Sequence, residues 1–524
     1  MKQNIELVLL PEEASNELLI KEQAARQLKL TIASITSVNI TKRSIDARSR
    51  QVKIRLLVDV FINETSPYAI FHKEQYKDVH NMPPVLIIGA GPAGLFAALR
   101  LIELGLKPII VERGKDVRQR RRDLALINKN RFINPNSNYC FGEGGAGTYS
   151  DGKLYTRSTK RGDVNRILNI LVAHGASRDI LIDAHPHIGT NKLPAVVMEL
   201  RETILEAGGE ILFNTLLTNF IIHNNSIQGI LVKTINGNSS TEYSIKAQAV
   251  ILATGHSAGD VYELLNSKNI LIHPKPFALG VRIEHPQALI DSIQYHCDTR
   301  SAFLPAAAYN FASQTNGRGV YSFCMCPGGI IAPCATDAGE IVVNGWSPSK
   351  RNNPFANSGI VVSVDENDFK NYKNHGALCG LKYRQGIEQK AFIAAGSNLK
   401  APAQRMMDFI DHKFSRSLPD TSYIPGVQSV LLDEVLPETI ADSLRIALKE
   451  FGKKMKGYAT NDAVLVGVES RTSSPVRIPR DAESLQHPQV NGLYPCAEGA
   501  GYAGGIISAA IDGERCANSI KNSY

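Results

Sequence analysis

Hydrophobic and polar positions divide the chain into stretches of different period. Residues 5–10 alternate as a strand does, and residues 12–28 place Glu17, Lys21 and Glu22 on the outer face of a helix. Residues 38–45 and 52–62 alternate again, the latter with Val52, Ile54, Leu56, Val58 and Val60 on one face. Between them lies the basic, turn-like stretch 42–50. These elements predict a small N-terminal α/β unit over residues 1–80, followed by a linker that ends at Pro83-Pro84. The plain expectation for 42–50 is a solvated hairpin, with a docking or regulatory module as the alternative. RNA binding through it is not expected, because the stretch lacks aromatic stacking residues.

The pattern then changes. An apolar run, Val85 to Ile88, ends in Gly89-Ala90-Gly91-Pro92-Ala93-Gly94. A helical stretch follows over 95–104 and stops at Gly105. A second apolar run, Pro108 to Val111, leads into Glu112. Strand, glycine turn, helix, strand and acid in this register predict a dinucleotide site. Gly89 makes the turn, Gly91 lets backbone approach a pyrophosphate, and Gly94 lets helix pack on strand. The helix N-terminus holds the phosphate charge. Glu112 stands about 20 residues on, where an acid reaches a ribose hydroxyl.

Arg113 and the basic run at 118–122 follow; the run reads as a solvated helix face. Residues 141–154 hold so many glycines that neither helix nor central strand is expected. A ligand-wrapping loop fits them, its amides facing an anion or a flat ring, with Thr148, Ser150 and Lys153 as added donors. Residues 164–174 and 193–207 read as helices. Short strands are expected at 210–213, 218–222, 227–234 and 243–246, with polar turns at 224–225 and 236–240. Ala249 to Gly255 is a buried strand running into a small-residue turn. Residues 260–450 mix both periods and predict a second, substrate-facing domain inserted into the first. The tail, 492–510, returns to strand, glycine turn with Glu498, and an Ala-rich helix suited to packing on another helix.

Composition narrows the reading. The chain has 524 residues, 43% hydrophobic and 21% charged, which is ordinary for a globular protein of several domains. A net charge of +8 is no nucleic-acid signature by itself. The first residues carry no basic region leading into an apolar core, and no uncharged run approaches the ~20 residues of a membrane span. Eight scattered cysteines predict free thiols rather than a disulfide framework. A cytoplasmic protein is therefore expected, with no membrane and no nucleic acid among its partners.

Four segments in this order, Gly89–Gly94 with Glu112, the 142–154 loop, Ala253-Thr254-Gly255, and 492–510, resemble the glutathione-reductase-like FAD flavoproteins. The likeness extends to the group of FAD-dependent dehydrogenases of undefined substrate. It is carried by the GGAGT-S-DGKL loop, LGVRIEHP around Arg282, CMCPGG around Cys324 and Cys326, and ESRTSSPVRI at 469–478. It covers 82–524, and residues 1–80 resemble that group's extra domain. The resemblance implies FAD. Gly89, Gly91, Pro92, Ala93 and Gly94 would sit on the pyrophosphate, with Glu112 and Arg113 at the adenosine end. Gly145, Ala146, Gly147, Thr148 and Lys153 would line the flavin side. Ala253, Thr254 and Gly255 would close over the cofactor. Glu498, Gly499, Gly504, Gly505 and Ile506 would lie near the ribityl chain and isoalloxazine.

The chain departs from dithiol reductases of that superfamily: it has no second glycine fingerprint and no C-x-x-C or C-x-x-x-x-C. A nicotinamide domain is therefore not expected.

The residues offer several chemical candidates. Cys324 and Cys326 form C-x-C, which reads either as a redox pair or as two buried thiols near a glycine turn. Arg282 with His285, and Arg471 with Arg477, are candidates for an anionic substrate, against structural salt bridges. His256 is a candidate proton donor, against a packed histidine. No general base and no metal site are identified.

The expected fold is α/β (α+β overall): a Rossmann-like FAD/NAD(P)-binding domain with an inserted mixed α/β cap. The division is 1–80, 82–274, 275–440 as the cap, and 441–524. The expected function is hydride transfer between a small organic substrate and flavin. The alternatives are a flavin-bound sensor or scaffold with a protein partner on residues 1–80, an FAD-dependent RNA-modifying enzyme, and a plain NAD-dependent dehydrogenase, which the extra glycine segments oppose.

Overall fold

The computed structural model describes residues 1–64, 75–156, 161–237 and 239–521; part of the turn expected at 236–240 lies outside them. The strand Pro84–Ile88 sits at the centre of a five-stranded sheet. Val85, Leu86 and Ile87 are wholly buried because helices or strands cover both faces. Lys107–Val111 and then Glu210–Leu212 pair with it on one side; Val250–Leu252 and then Leu493–Pro495 pair on the other. All four pairings are parallel. Strand order reverses beside Pro84–Ile88, so the carboxyl ends of Ile88 and Leu252 frame the crevice where such sheets bind ligands.

The helix Pro92–Glu103 packs against the tail helix Ile506–Lys521. A Cβ on Gly513 would stand 2.1 Å from the Ala93 carbonyl, so the two backbones nearly touch there. That contact brings both helix N-termini to one place. The antiparallel strands Thr215–His223, Ser226–Asn236 and Ser239–Lys246 form a separate three-stranded layer between Leu212 and Val250.

The cap is a seven-stranded sheet. In spatial order it runs Ala312–Thr315, Arg318–Cys326, Phe355–Val364, Phe277–Pro286, Val464–Glu469, Ala401–Arg405 and Val427–Ser429. The expected boundary at 440 is too early. Val464–Glu469 lies inside this sheet, between Phe277–Pro286 and Ala401–Arg405, so the cap extends to about 470. The short ladder of His273–Pro274 with Val476–Arg477 marks where the chain enters and leaves it.

The N-terminal unit is a three-stranded antiparallel sheet, Lys2–Leu9, Lys53–Ile62 and Ile35–Asp46, covered by a helix. The helix expected over 12–28 is two: Pro11–Ala14, and Glu17–Leu28, which Asn16 restarts by accepting the Leu18 and Leu19 amides. The stretch 42–50 is the expected hairpin, with Arg48 exposed near its tip, but its first half is also anchored. Ile35–Asp46 runs through its first half, and Arg43 pairs with Asp179 and Asp183 while its backbone bonds Ile182 and Ala184. This anchors the unit to the nucleotide domain. The 118–122 run also differs from expectation at one residue. Arg120 points inward, fully buried, and donates to the carbonyls of Asn138, Tyr139 and Glu143. No helix among the described residues is long and apolar enough to cross a membrane.

Candidate functional site

Between the five-stranded sheet and the cap lies a cavity of about 420 Å³, within the ~300–1,000 Å³ range of cofactor pockets. Its floor is built from strand ends. Gly89 holds φ +106°, and a Cβ there would stand 2.5 Å from the Ala253 carbonyl, so the turn after Ile88 requires glycine. Gly91 caps the Pro92–Glu103 helix without a side-chain hydrogen bond, and Pro92 opens it. Its amides are therefore free for an anion. Gly91, Pro92 and Ala93 line the cavity; Gly94 does not. A Cβ on Gly94 would stand 2.0 Å from the Gly89 carbonyl. Its task is helix-to-turn packing rather than ligand contact.

Glu112 is buried at the cavity wall. One carboxylate oxygen accepts the Ala90 amide at 2.8 Å; the other accepts Gly114 at 2.8 Å and Gly142 at 2.9 Å. The acid thus ties the glycine turn, the end of Lys107–Val111 and the 142–154 loop together. Arg113 stacks on Phe141 and pairs with Asp260.

Gly145, Ala146 and Gly147 form one wall, with Gly145 close against Gly91 and Gly147 against Ile506. Thr148 is turned away: it is buried and donates to the Glu143 carbonyl. Lys153 lines the cavity, but its ammonium reaches the cap, donating to the Met325 carbonyl and lying near Asp151 and two thiols. Ala253, Thr254 and Gly255 continue the floor. Thr254 Oγ1 is buried with no hydrogen-bond partner among the described residues. A buried hydroxyl on a cavity wall calls for a ligand acceptor or donor.

Glu498, Gly504, Gly505 and Ile506 close the far end at the N-terminus of the tail helix. Gly505 holds φ +139°, with open space where a Cβ would be. Asp512, missed by sequence reading, fixes this turn. It accepts the Ala497 amide and a bidentate pair of bonds from Arg480. Gly499 does not line the cavity; Tyr262 bonds its carbonyl and it packs on Gly255.

The ceiling comes from the cap: Phe323, Cys324, Ala332, Cys334, Asn344 to Trp346, and Arg471 with Thr472. These contributors were largely illegible, because only the folded sheet brings 323–346 over 89–91. Arg282 and His285 do not meet. Arg282 is buried against Glu469, Asn357 and the Cys324 carbonyl, while His285 bonds the Tyr458 carbonyl. Three places apart on Phe277–Pro286, they face opposite sides. Arg471 and Arg477 are also separate. Arg471 is held by Glu388, Glu340 and Thr336; Arg477 lies on Tyr502 and bonds Gly501. Neither pair is an anion clamp.

His256 lies on the wall, 3.8 Å from Glu498. Burial, then Arg384 and Arg471, push its imidazole down to about 3. In this environment the imidazole is held neutral at ordinary pH. A depressed histidine pKa means the unfolded chain binds the extra proton first. Its contribution to stability is therefore unchanged above pH ~6.5 and falls as pH drops below that value. Histidine NMR signals of the wild type, compared with those of His256→Gln, are expected to show the His256 resonance flat from pH 5 to 8. An inflection near 6.5 would contradict this environment.

Comparison with known proteins agrees with this geometry. FAD binding domain models match residues 82–131 and 143–284. An "FAD-dependent protein, C-terminal domain-like" model matches 276–472, and a domain of unknown function matches 1–61. An uncharacterized protein of Clostridium beijerinckii is 39% identical over 520 residues, 96% of this chain and 95% of its own. The chain belongs to the FAD-dependent flavoproteins. A thiamine thiazole synthase of Aeropyrum pernix is 29% identical over 34% of this chain, and the match spans 57% of that protein. A solved geranylgeranyl bacteriochlorophyll reductase-like protein from Thermoplasma acidophilum aligns over 84% of this flavoprotein and 80% of its own chain, at 13% identity and TM-score 0.36.

The residues present fit FAD. Two helix N-termini open on one cavity, bare glycine backbone edges it at both ends, and a buried hydroxyl lacks a partner. The protein is an FAD-dependent oxidoreductase in the broad sense.

Proposed function

We propose that this flavoprotein, of the glutathione-reductase-like type, transfers hydride between a small organic molecule and FAD beneath the cap. The observation that carries the reading is the convergence of the helix starts at Gly91 and Gly505–Ile506 on a single cavity roofed by the cap. The amides of Gly91 and Ala93 would hold the diphosphate, and Glu112 would meet the adenosine ribose. Gly145 to Gly147 and Gly504 to Ile506 would enclose the ring system. FAD supplies two-electron chemistry when bound.

The chain's own residues shape what happens there. Phe323, Ala332 and Trp346 exclude water from the cap side. Neutral His256 offers a hydrogen bond without a charge. Asn344 and Thr254 offer further polar contacts at the wall. Arg471 lies on the wall too, but its two carboxylate partners already neutralise it, so a strongly anionic substrate is not favoured.

The test is anaerobic. Small hydroxy, amino and unsaturated acids, their neutral analogues, NADH and NADPH are screened for bleaching of the flavin band. Bleaching by one class with bound FAD at one per chain is the expected result. Stoichiometric FAD that none of them bleaches would contradict hydride transfer.

A further inference from the structure

The structure builds a site around the cap's Cys324 and Cys326. Both stand at the end of Arg318–Cys326, where pairing with Phe355–Val364 loses register between Phe323 and Cys326. Cys324 adopts φ +47°, a conformation non-glycine residues rarely take. Such bulges re-aim side chains, and here the bulge folds residue 326 back on 324. The Cys326 thiol lies 3.2 Å from the Cys324 carbonyl and hydrogen-bonds the Cys324 side chain. Cys324 opens on the cavity, whereas Cys326 is buried behind it.

Two cations grip the pair. Lys153 Nζ stands 3.7 Å from the Cys324 sulfur and 3.8 Å from that of Cys326. Arg282 Nη2 stands 3.6 Å from the Cys326 sulfur. Lys153 belongs to the 142–154 loop, which walls the cofactor space, so the contact joins that loop to the cap. The hydrogen bond from Cys326, then Lys153 and Arg282, outweigh burial and hold the Cys324 thiol well below its ordinary value. Burial, then the bond to Cys324, push Cys326 up. For Lys153, burial alone would lower the pKa; the two sulfurs and Asp151 outweigh it. These surroundings favour the thiolate at Cys324 and the thiol at Cys326, the pairing from which disulfide exchange starts. Two inert buried thiols would need neither the bulge nor the cations.

We propose that Cys324 and Cys326 form a redox-active pair that cycles between dithiol and disulfide by exchanging two electrons with FAD across the cavity. This rests on the proposed placement of the ring system against the wall formed by Gly145–Gly147 and Gly504–Ile506. In the oxidising direction the thiolate and thiol lose two electrons and one proton, and a bond forms between their sulfurs. FAD takes up both electrons and that proton and becomes the reduced anion. Atoms and charge balance with no further reactant. Lys153 is a positioning residue, holding the thiolate toward the cavity.

The FAD-loaded full chain is titrated with dithionite without oxygen, and cysteines are counted by alkylation before and after. Wild type is expected to consume about four electron equivalents per FAD, and Cys324→Ser and Cys326→Ser about two each. A broad long-wavelength thiolate–flavin band is expected part-way through the wild-type titration and not in Cys324→Ser. Air-oxidised wild type is expected to alkylate at two cysteines fewer than reduced protein. About two equivalents in wild type, with all eight cysteines alkylated from the start, would overturn the pair. So would four equivalents without the long-wavelength band, which would place the sulfurs away from the ring. Dithionite needs no substrate. If no metabolite bleaches the flavin, the function reading fails separately while this count stays decisive.

Discussion

Gly94→Val is expected to yield a folded but colourless protein. A Cβ at this position would stand 2.0 Å from the Gly89 carbonyl and 3.1 Å from its carbon, both backbone atoms that no rotamer change moves. The Pro92–Glu103 helix must therefore back away from the Gly89 turn. Overpacking of this kind costs about 1–3 kcal/mol, which a large core absorbs. The functional loss is greater. Each hydrogen bond to a charged group is worth about 1.5–3 kcal/mol, so every phosphate-facing amide displaced weakens FAD about 10- to 100-fold. Gly175→Ala is the control: φ is +95° there, nothing lies within 4 Å of the added Cβ, and the position is far from the cavity lining. That change costs about 1–2 kcal/mol of backbone strain and leaves the FAD content intact. Absorbance of the purified proteins at the flavin band, per chain, checks both. Yellow Gly94→Val at wild-type content would refute the assigned packing.

Arg471→Met is expected to be the most destabilising single change in the cap. Its guanidinium donates to Glu388 twice, to Glu340 and to Thr336, all within 3.2 Å. Glu388 is wholly buried and also faces Arg384. Glu340 already sits at about 7, raised first by burial and then by Glu388. Removing one partner of a buried ion cluster leaves uncompensated charge and costs about 3–5 kcal/mol. For a domain of the cap's size this lowers Tm by about 10 °C. The sign of the pH dependence follows. Without Arg471 both carboxyls take up protons more readily folded than unfolded, so stability falls as pH rises through and above the ordinary carboxylate range. The loss is expected to be larger at pH 8 than at pH 5.5, and Glu388→Gln added to Arg471→Met should recover part of it. A change below about 1 kcal/mol, equal at both pH values, would mean the cluster is not held as described.

The parts of this molecule that were legible in sequence are those fixed by local pattern. Gly89 to Glu112 could be read because a strand, a turn, a helix and an acid in register leave few alternative geometries. The tail turn at 496–505 was readable for the same reason. The break at Asn16 was readable in principle, since Asn before Glu is a helix start, but the surrounding helical period hid it. Arg120 was hidden in a run of arginines, although one helical turn necessarily aims some of that run inward. Membership of Val464–Glu469 in the cap sheet had no local signal at all. It depends on partners at 280–284 and 403–405, both distant in sequence. The C-x-C at 324–326 could be seen, but not its purpose. Only the fold brings Lys153 and Arg282 to it, and only the bulge turns one sulfur toward the cavity.

The central claim is that FAD lies full length between the Gly89 turn and the tail turn, under the cap. A crystal structure of the FAD-loaded protein tests it most directly. The account predicts the diphosphate on the amides of Gly91 and Ala93, a ribose hydroxyl on Glu112, and the ring system against the wall that Gly147 and Ile506 share, with Cys324 on its cap side. A cofactor bound elsewhere, or one whose ring faces solvent with Glu112 still committed wholly to Ala90, Gly114 and Gly142, would contradict it.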